Sequence, residues 1–300
     1  MESTKRVKIS TRALLFSFAL RTIGMKNWFK KMVQNPARNK RGFVPESLYK
    51  SYKTDSRIVD SKTVVTLEKK DKVTDTHIIY LHGGSWTFEI MSLHWKLIRK
   101  IIDRSYCRIS VLDYPLAPEH NYKETLKMVM KTYSLLLEEY PDDHLILMGD
   151  SAGGNIALAL VQKLIRENIS NLPVKNVLLC PCVDISLSNP EITEIAHLDH
   201  ILSVELVQHG AIQYSDGDDQ DNYLLSPING NLEKIPETAV FYSTHEILMP
   251  DILRLKAKVE NTGARFKFYE YEGMQHDWML FPIPERQKVI EEVCDFIAAK

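Results

Sequence analysis

The sequence predicts an α/β protein with a mostly parallel central sheet and helices on both faces of that sheet. Short apolar runs alternate with longer amphipathic stretches along most of the chain, which is the pattern of strands joined by helices. The 300 residues are 44% apolar and 26% charged, a composition typical of soluble globular proteins with a sizeable core. The length is compatible with one large α/β domain that carries an insertion, or with two domains.

The N-terminal arm is strongly basic. Residues 1–41 contain eleven Lys and Arg against the single acid Glu2, so the arm carries a charge of +10 and the remainder −11. The total of −1 argues against a nucleic-acid partner. The longest uncharged run, residues 13–20, is too short to span a bilayer, and no clean cleavage site follows it. We therefore do not expect a secreted protein.

The apolar residues of this arm recur at helical spacing, which predicts one amphipathic helix or two, broken near Gly24. The residues that define the spacing are Leu15, Phe18, Met25, Phe29 and Met32. A basic amphipathic segment could dock on an anionic membrane surface or pack on the protein's own body. We favour packing over membrane contact.

From Arg57 onward the predicted elements follow a regular order. Residues 57–71 alternate apolar and polar side chains, as expected for a half-exposed edge strand. Further strands are predicted at residues 77–84, 107–114, 145–148, 174–184, 238–243 and 264–273. Helices are predicted at residues 92–105, 123–140, 152–168, 250–263 and 284–300. Residues 185–230 break the alternation and hold one helical piece near residues 201–213, which indicates an insertion over the carboxyl edge of the sheet.

Ser151 lies in the sequence Gly-Asp-Ser-Ala-Gly, at the turn between a buried strand and a helix. This is the G-x-S-x-G pattern of a nucleophile elbow, in which glycines two positions before and after the serine allow a sharp turn. The helix that follows directs its positive end toward the serine hydroxyl. The alternative is a plain strand-to-helix connection, but the partners available to Ser151 favour a catalytic role.

A serine hydroxyl needs a base, because it is a weak nucleophile at neutral pH. His276 follows the last predicted strand, where a loop could bring its imidazole to the carboxyl edge of the sheet. Glu246 and Asp251 follow the strand at residues 238–243 and are the candidates for the acid that orients this histidine. We favour Glu246, because it lies nearer the end of the strand.

Backbone amides could stabilise the negative charge that develops on a substrate oxygen. The amide of Ala152 directly follows the nucleophile, and those of Gly83 and Gly84 lie in the sequence His-Gly-Gly-Ser-Trp after another strand. Asp150 and Asp277 neighbour the nucleophile and the base in sequence, and we interpret both as local structural support.

Six motifs, HGGSW, DYPLAPEH, GDSAGGN, LLSP, EILMPD and MQHDW, occur in this order between about residues 77 and 280. Together they resemble the hormone-sensitive-lipase-like group of α/β-hydrolases, which includes bacterial carboxylesterases. The resemblance implies that Ser151 is the nucleophile and His276 the base. It also implies an oxyanion hole formed by the amides of Gly83, Gly84 and Ala152.

Two positions depart from the pattern of this group. Ser85 occupies the place where many members have a third glycine, so the contribution of its amide is open. Glu246 stands where aspartate is more common, which keeps Asp251 as an alternative acid.

The resemblance further implies an α/β-hydrolase fold with a helical cap over the acyl pocket. Residues 1–50 would supply N-terminal cap helices and residues 185–230 a cap insertion, on a core of residues 51–184 and 231–300. The implied function is a carboxylesterase that acts on small esters, with short acyl chains favoured, through an acyl-enzyme intermediate and without a cofactor. An amidase, formamidase or peptidase with the same triad stays open, as does a small-molecule-binding protein of this fold.

Three aromatic residues next to the predicted catalytic positions could line the substrate pocket or belong to the core: Trp86, Phe88 and Trp278. His197 and His200 have a spacing that could bind a metal, but no cluster of further ligands accompanies them, so we expect no metal site. The four cysteines show no CxxC spacing and no disulfide pattern, which favours a cytoplasmic location.

Overall fold

The computed structural model describes residues 5–38, 43–72, 74–260 and 262–299. The strands in chain order are β1 (Lys5–Val7), β2 (Lys53–Val59), β3 (Lys62–Glu68), β4 (Thr76–Leu81), β5 (Arg108–Leu112), β6 (His144–Asp150), β7 (Lys175–Leu179), β8 (Glu237–Ser243) and β9 (Phe266–Tyr271). The helices are α1 (Thr11–Thr22), α2 (Met25–Gln34), α3 (Glu46–Ser51), α4 (Ser92–Ser105), α5 (Tyr122–Glu139), α6 (Ala152–Arg166), α7 (Glu191–Ile195), α8 (Val204–Ser215), α9 (Met249–Val259) and α10 (Glu285–Ala298).

The strands form a single sheet in the spatial order β1-β9-β8-β7-β6-β4-β5-β3-β2. Six of its eight strand pairings are parallel, and the two antiparallel pairings join β3 to β2 and to β5. The predicted α/β class with a mostly parallel sheet is therefore confirmed. The parallel arrangement places the carboxyl ends of β4, β6, β8 and β9 at one edge of the sheet.

The central strands bury apolar side chains on both faces of the sheet, which explains why they occur as continuous apolar runs in the sequence. Along β4, Ile78 and Tyr80 enter one core while Ile79 and Leu81 enter the other, because successive side chains of a strand point to opposite faces. Helices α4 and α10 pack on the first face, and α5, α6 and α9 pack on the second.

Residues 57–71, predicted as one edge strand, belong to a hairpin. β2 and β3 pair antiparallel up to Val59 and Lys62, and the two residues between them, Asp60 and Ser61, have φ values of 47° and 67°. Positive φ at both positions is the mark of a type I′ turn, whose twist suits a two-residue hairpin. The prediction of one strand was wrong because Asp-Ser is not the Asn-Gly or Asp-Gly pair that usually indicates such a turn.

The basic arm forms two helices, α1 and α2, that meet at Gly24, which has φ 68°. This confirms the predicted break. Leu20 and Val33 are buried in the core, so the inner side of each helix packs on the body of the protein, as we favoured. Leu15 and Phe18 are each 65% exposed, however, so these two residues of the predicted helical spacing do not lie on the packed face. Residues 13 and 20 supply the inner face of α1 instead.

Residues 185–230, predicted as an insertion, contain α7 and α8. Helix α8 lies against the loop after β4, since a Cβ added to Gly210 would come within 2.5 Å of the Ser85 carbonyl oxygen. The ring of Tyr214 stacks on Trp86 in the same loop at 5.2 Å. The division into cap and core segments stays a prediction, and residues 1–4 and 39–42 of the N-terminal segment lie outside the described residues.

Within the described part of the chain, no helix has both the length and the apolar character needed to cross a bilayer. All four cysteines are buried and unpaired. The cytoplasmic location inferred from the cysteine pattern stays a prediction.

Candidate active site

Ser151 occupies a strained turn at the carboxyl end of β6. Its backbone angles are φ 51° and ψ −117°, in a region that non-glycine residues rarely adopt, and α6 begins at the next residue. The amide of Ser151 donates to the carbonyl of Leu179 at the end of the neighbouring strand β7, at 2.8 Å. This geometry is that of a nucleophile elbow, in which the serine side chain projects beyond the sheet edge.

The two glycines of the elbow are required by close backbone packing. A Cβ on Gly149 would lie 2.4 Å from the carbonyl carbon of Gly153, and one on Gly153 would lie 1.9 Å from the carbonyl oxygen of Leu81. Both distances are far inside van der Waals contact. The sequence spacing of the glycines therefore has a direct steric cause, as expected for this motif.

His276 and Glu246 meet Ser151 at the same sheet edge. The Nε2 atom of His276 lies 2.9 Å from Ser151 Oγ, and its Nδ1 lies 2.6 Å from Glu246 Oε2. The other carboxylate oxygen of Glu246 accepts a hydrogen bond of 2.8 Å from the amide of Ser243 at the end of β8. All three side chains are buried. The structure thus brings together the three side chains that the sequence analysis selected.

Asp251 lies away from this group. Its Oδ1 atom accepts hydrogen bonds from Arg254 at 2.8 Å and from Asn189 at 3.1 Å. Burial raises the pKa of its carboxyl group. In this geometry Glu246 is the acid that contacts His276, and Asp251 connects α9 to the segment before α7.

Asp277 is a further acid beside the imidazole, and the sequence analysis missed its position. Its Oδ2 atom lies 3.2 Å from His276 Nε2, the same nitrogen that faces Ser151. Burial raises the pKa of Asp277 to about 6, with the nearby Asp150 acting in the same direction. Asp277 has φ 50°, and this left-handed backbone turns its side chain back toward the histidine. Its assignment as mere local support is therefore corrected, although no sequence pattern indicates such a reversal.

The charge around His276 favours its protonated form. Burial alone would lower the pKa of the imidazole, but the carboxylates of Asp277 and Glu246 outweigh burial and raise that pKa well above its ordinary value. A base acts in its neutral form, so the active fraction of the protein should increase as the pH rises through this pKa.

We expect kcat/KM for ester hydrolysis to rise with pH, with a midpoint above the ordinary histidine value of about 6.5. In Asp277→Asn the midpoint should fall by about one pH unit, because a negative charge that stabilises the imidazolium is removed. A pH–rate profile from pH 5 to 9 for both proteins measures this. Asp216→Asn is the matched control, since Asp216 also has a left-handed backbone, with φ 53°, but caps α8. An unchanged midpoint in Asp277→Asn would contradict the role of this carboxylate.

The amide of Gly83 is already engaged. It donates to Asp150 Oδ2 at 2.8 Å, and the same carboxylate group accepts from Tyr80 and contacts His94 Nε2 at 3.2 Å. A substrate oxygen would have to displace Asp150 to use the Gly83 amide. The prediction that Gly83 belongs to the oxyanion hole is corrected for this reason: it anchors the loop instead.

The next two residues of the loop face the cavity. Gly84 and Ser85 line it together with Ser151, whereas Gly83 does not. Within the described part of the chain, the amides of Gly84, Ser85 and Ala152 have no hydrogen-bond acceptor. Three amides near Ser151 therefore have no acceptor within the described residues, and one of them belongs to Ser85, whose contribution the sequence left open.

The cavity above Ser151 has a volume of about 220 Å³ and a mainly apolar lining. Of the aromatic residues predicted for the pocket, only Phe88 lines it. Trp86 stacks on Tyr214, and Trp278 packs against Tyr271 with ring centroids 4.7 Å apart, so both belong to the core. The sequence analysis missed lining residues from α2 and from the segment before α8, including Met25, Trp28, Phe29, Ile201 and Leu202. Their apolar character was visible, but the packing of the two segments over the serine was not.

One group within the described residues has the composition of a metal site. It consists of Cys180, Glu246 and His276. Glu246 and His276 are already hydrogen-bonded to each other, and burial raises the pKa of the Cys180 thiol, which keeps it protonated and makes it a poor ligand. His197 and His200 contact Glu194 and Ser17 respectively, rather than each other. The residues present therefore fit proton transfer better than metal binding.

Comparison with known proteins agrees with the fold. A protein-family model described as alpha/beta hydrolase fold matches residues 78–280. An esterase from Acinetobacter venetianus is 30% identical over 234 residues, which cover 76% of this chain and 77% of the relative. An acetyl-hydrolase from Streptomyces hygroscopicus is 27% identical over 73% of this chain and 74% of its own.

A solved structure of an esterase from the bacterial hormone-sensitive lipase (HSL) family is 23% identical and has a TM-score of 0.82, over 96% of this chain and 98% of that chain. The fold and the group of side chains at its strand ends define an α/β hydrolase. The family match covers more than half of the chain, and the chain belongs to the alpha/beta hydrolase family. The resemblance to the hormone-sensitive-lipase-like group that the motifs indicated is confirmed.

Proposed function

We propose that this chain is a carboxylesterase that hydrolyses small carboxylic esters by two-step acyl transfer through Ser151. The observation that carries the proposal is the continuous hydrogen-bonded chain from Ser151 Oγ through the ring of His276 to Glu246. This arrangement suits activation of a serine hydroxyl. Relatives named esterase and acetyl-hydrolase support an ester as the substrate.

In the first step His276 Nε2 accepts the Ser151 proton as the hydroxyl oxygen attacks the ester carbonyl. Glu246 accepts a hydrogen bond from Nδ1–H, holds the reactive tautomer and stabilises the imidazolium. The imidazolium then gives its proton to the leaving alcohol as the carbon–oxygen bond breaks. Water enters, His276 removes its proton, and attack on the acyl-enzyme releases the acid and restores Ser151.

The amides of Gly84, Ser85 and Ala152 are the donors that we assign to the tetrahedral oxyanion. Gly84 and Ser85 line the cavity next to the nucleophile, Ala152 directly follows it, and the three amides have no acceptor within the described residues. Each such donor lowers the barrier by about 3 kcal/mol when it is aligned before the reaction starts. The bond from Gly83 to Asp150 helps to keep the loop in that alignment.

The size of the cavity indicates short acyl groups. Its volume of about 220 Å³ is below the range of pockets that enclose drug-sized ligands, and its lining is mainly apolar.

We expect kcat/KM to be highest for p-nitrophenyl acetate or butyrate and at least about tenfold lower for the palmitate, because the long chain exceeds the cavity. A series of p-nitrophenyl esters, measured with Ser151→Ala as the blank, tests this. Preference for the palmitate would contradict the short-chain assignment, and equal turnover of a matched anilide would favour an amidase.

A further inference from the structure

Helix α1 is apolar on two opposite faces. Ala13 and Leu20 are buried on the inner face, and the ring of Phe16 packs against Phe281 with centroids 5.0 Å apart. The outer face carries Leu14, Leu15 and Phe18. The rest of the protein covers only the inner face of α1. A helix that is apolar on both sides needs a second apolar environment.

The outer residues Leu14, Leu15 and Phe18 form one patch, because positions three and four apart lie on the same side of a helix. They are 52%, 65% and 65% exposed. Ile23, at the end of α1, and Trp28, in α2, are also exposed, at 66% and 50%. Five of the ten large apolar side chains exposed in the described part of the chain thus fall within residues 14–28. Such a concentration usually marks an interaction site.

Cations flank this patch. At 100° per residue, Arg12 and Arg21 lie on either side of the face formed by Leu15 and Phe18, and both are exposed. No Asp or Glu occurs between Glu2 and Glu46 in the sequence. Within the described residues neither arginine has an ion-pair partner. An apolar stripe between two cations is the arrangement of helices that lie in the interface of an anionic bilayer.

Two lysines of α2 contact the insertion of residues 185–230. Lys26 donates to the carbonyl of Ala196 at 2.9 Å, and Lys30 lies 3.8 Å from Glu205 of α8. Lys31 is exposed and has no acidic partner within the described residues. Lys26 and Lys30 therefore have partners in the insertion, whereas the charges of Arg12, Arg21 and Lys31 are available to an external surface.

We propose that the outer face of α1, formed by Leu14, Leu15 and Phe18, docks on an anionic lipid bilayer. The 12 residues of α1 extend for about 18 Å, too short to span a membrane, so the helix would lie in the interface. A second copy of this chain fits the patch less well, because its own basic arm would place like charges opposite each other. Trp28 is half exposed and also lines the cavity above Ser151, so docking would bring the cavity entrance to the bilayer.

Co-sedimentation of the full chain with vesicles tests this proposal. We expect binding to phosphatidylcholine vesicles that contain one third phosphatidylglycerol, weakening as salt is raised, and at least about tenfold weaker binding to phosphatidylcholine alone. The double variant Leu15→Ser/Phe18→Ser should lower the partition coefficient at least about tenfold, because two large apolar groups no longer enter the interface. The variant Arg12→Glu/Arg21→Glu should produce a similar loss at low salt.

Ile58→Ser is the matched control, since Ile58 is 69% exposed but lies on edge strand β2, at the far edge of the sheet from β1. It should bind vesicles like the wild type.

Thermal unfolding and hydrolysis of a soluble ester verify that each α1 variant is folded. Ser151→Ala should retain vesicle binding, which separates this proposal from the proposed esterase activity. The proposal would be overturned if the wild type did not bind anionic vesicles, or if both α1 double variants bound them as strongly as the wild type. It would also be overturned if the protein formed a dimer without lipid and both double variants disrupted that dimer.

Discussion

Replacement of Ser151 by alanine is expected to lower kcat/KM for p-nitrophenyl butyrate by about 10⁴- to 10⁶-fold. The substitution removes the oxygen that forms the acyl-enzyme bond in the proposed mechanism, while His276, Glu246 and the loop amides stay in place. KM should change little, because the cavity lining is unaltered. Initial rates at high enzyme concentration, corrected for spontaneous hydrolysis, measure the effect.

Ser188→Ala is a suitable control for this experiment, since Ser188 is an exposed serine in the segment before α7. Its activity should equal that of the wild type. A labelling experiment adds a second readout: a fluorophosphonate should modify the wild type at Ser151 and leave the alanine variant unmodified. Activity above one tenth of wild type in Ser151→Ala would show that another residue is the nucleophile.

The second large effect is expected for Glu246→Gln, which should lower kcat by about 10³- to 10⁴-fold. Glutamine fills the same space, but it has no negative charge to stabilise the imidazolium, and its amide can hold the wrong tautomer of His276. The bond from the Ser243 amide can persist, because the glutamine carbonyl oxygen also accepts. Stopped-flow or steady-state turnover of the butyrate ester, together with the melting temperature, separates lost catalysis from lost folding.

Asp251→Asn provides the comparison for Glu246→Gln. Asp251 is also buried and also follows β8, but it bonds Arg254 and Asn189 rather than His276. We expect its turnover to stay within about threefold of wild type, with a lower melting temperature, since the substitution weakens a partly buried ion pair. The reverse result, normal turnover in Glu246→Gln and collapse in Asp251→Asn, would exchange the roles of the two acids.

The parts of the site that lie directly at strand ends could be predicted from the sequence. Ser151, Glu246 and His276 each follow a recognisable apolar strand, and parallel strands bring their carboxyl ends to one edge whatever the details of packing. The distance between Glu246 and His276 along the chain therefore does not matter. Local pattern and topology were sufficient for these three positions.

The parts that depend on loop conformation could not be predicted. Gly83 and Ser85 lie two positions apart in the same loop. The side chain of Asp150 accepts a hydrogen bond from the Gly83 amide and leaves the Ser85 amide available to a ligand. Asp277 contacts His276 because of a left-handed backbone that its sequence does not reveal. The packing of Trp28 over the cavity likewise requires the tertiary structure.

The carboxylate of Asp150 connects β6, which ends next to Ser151, to the loop of Gly83, Gly84 and Ser85. A redesign of the specificity of this protein can therefore vary the aromatic lining at Phe29, which lies on α2, without changing either partner of this bond. A change at position 150 would instead let the serine and its amide donors move apart, so that acid should be held constant in any mutant library.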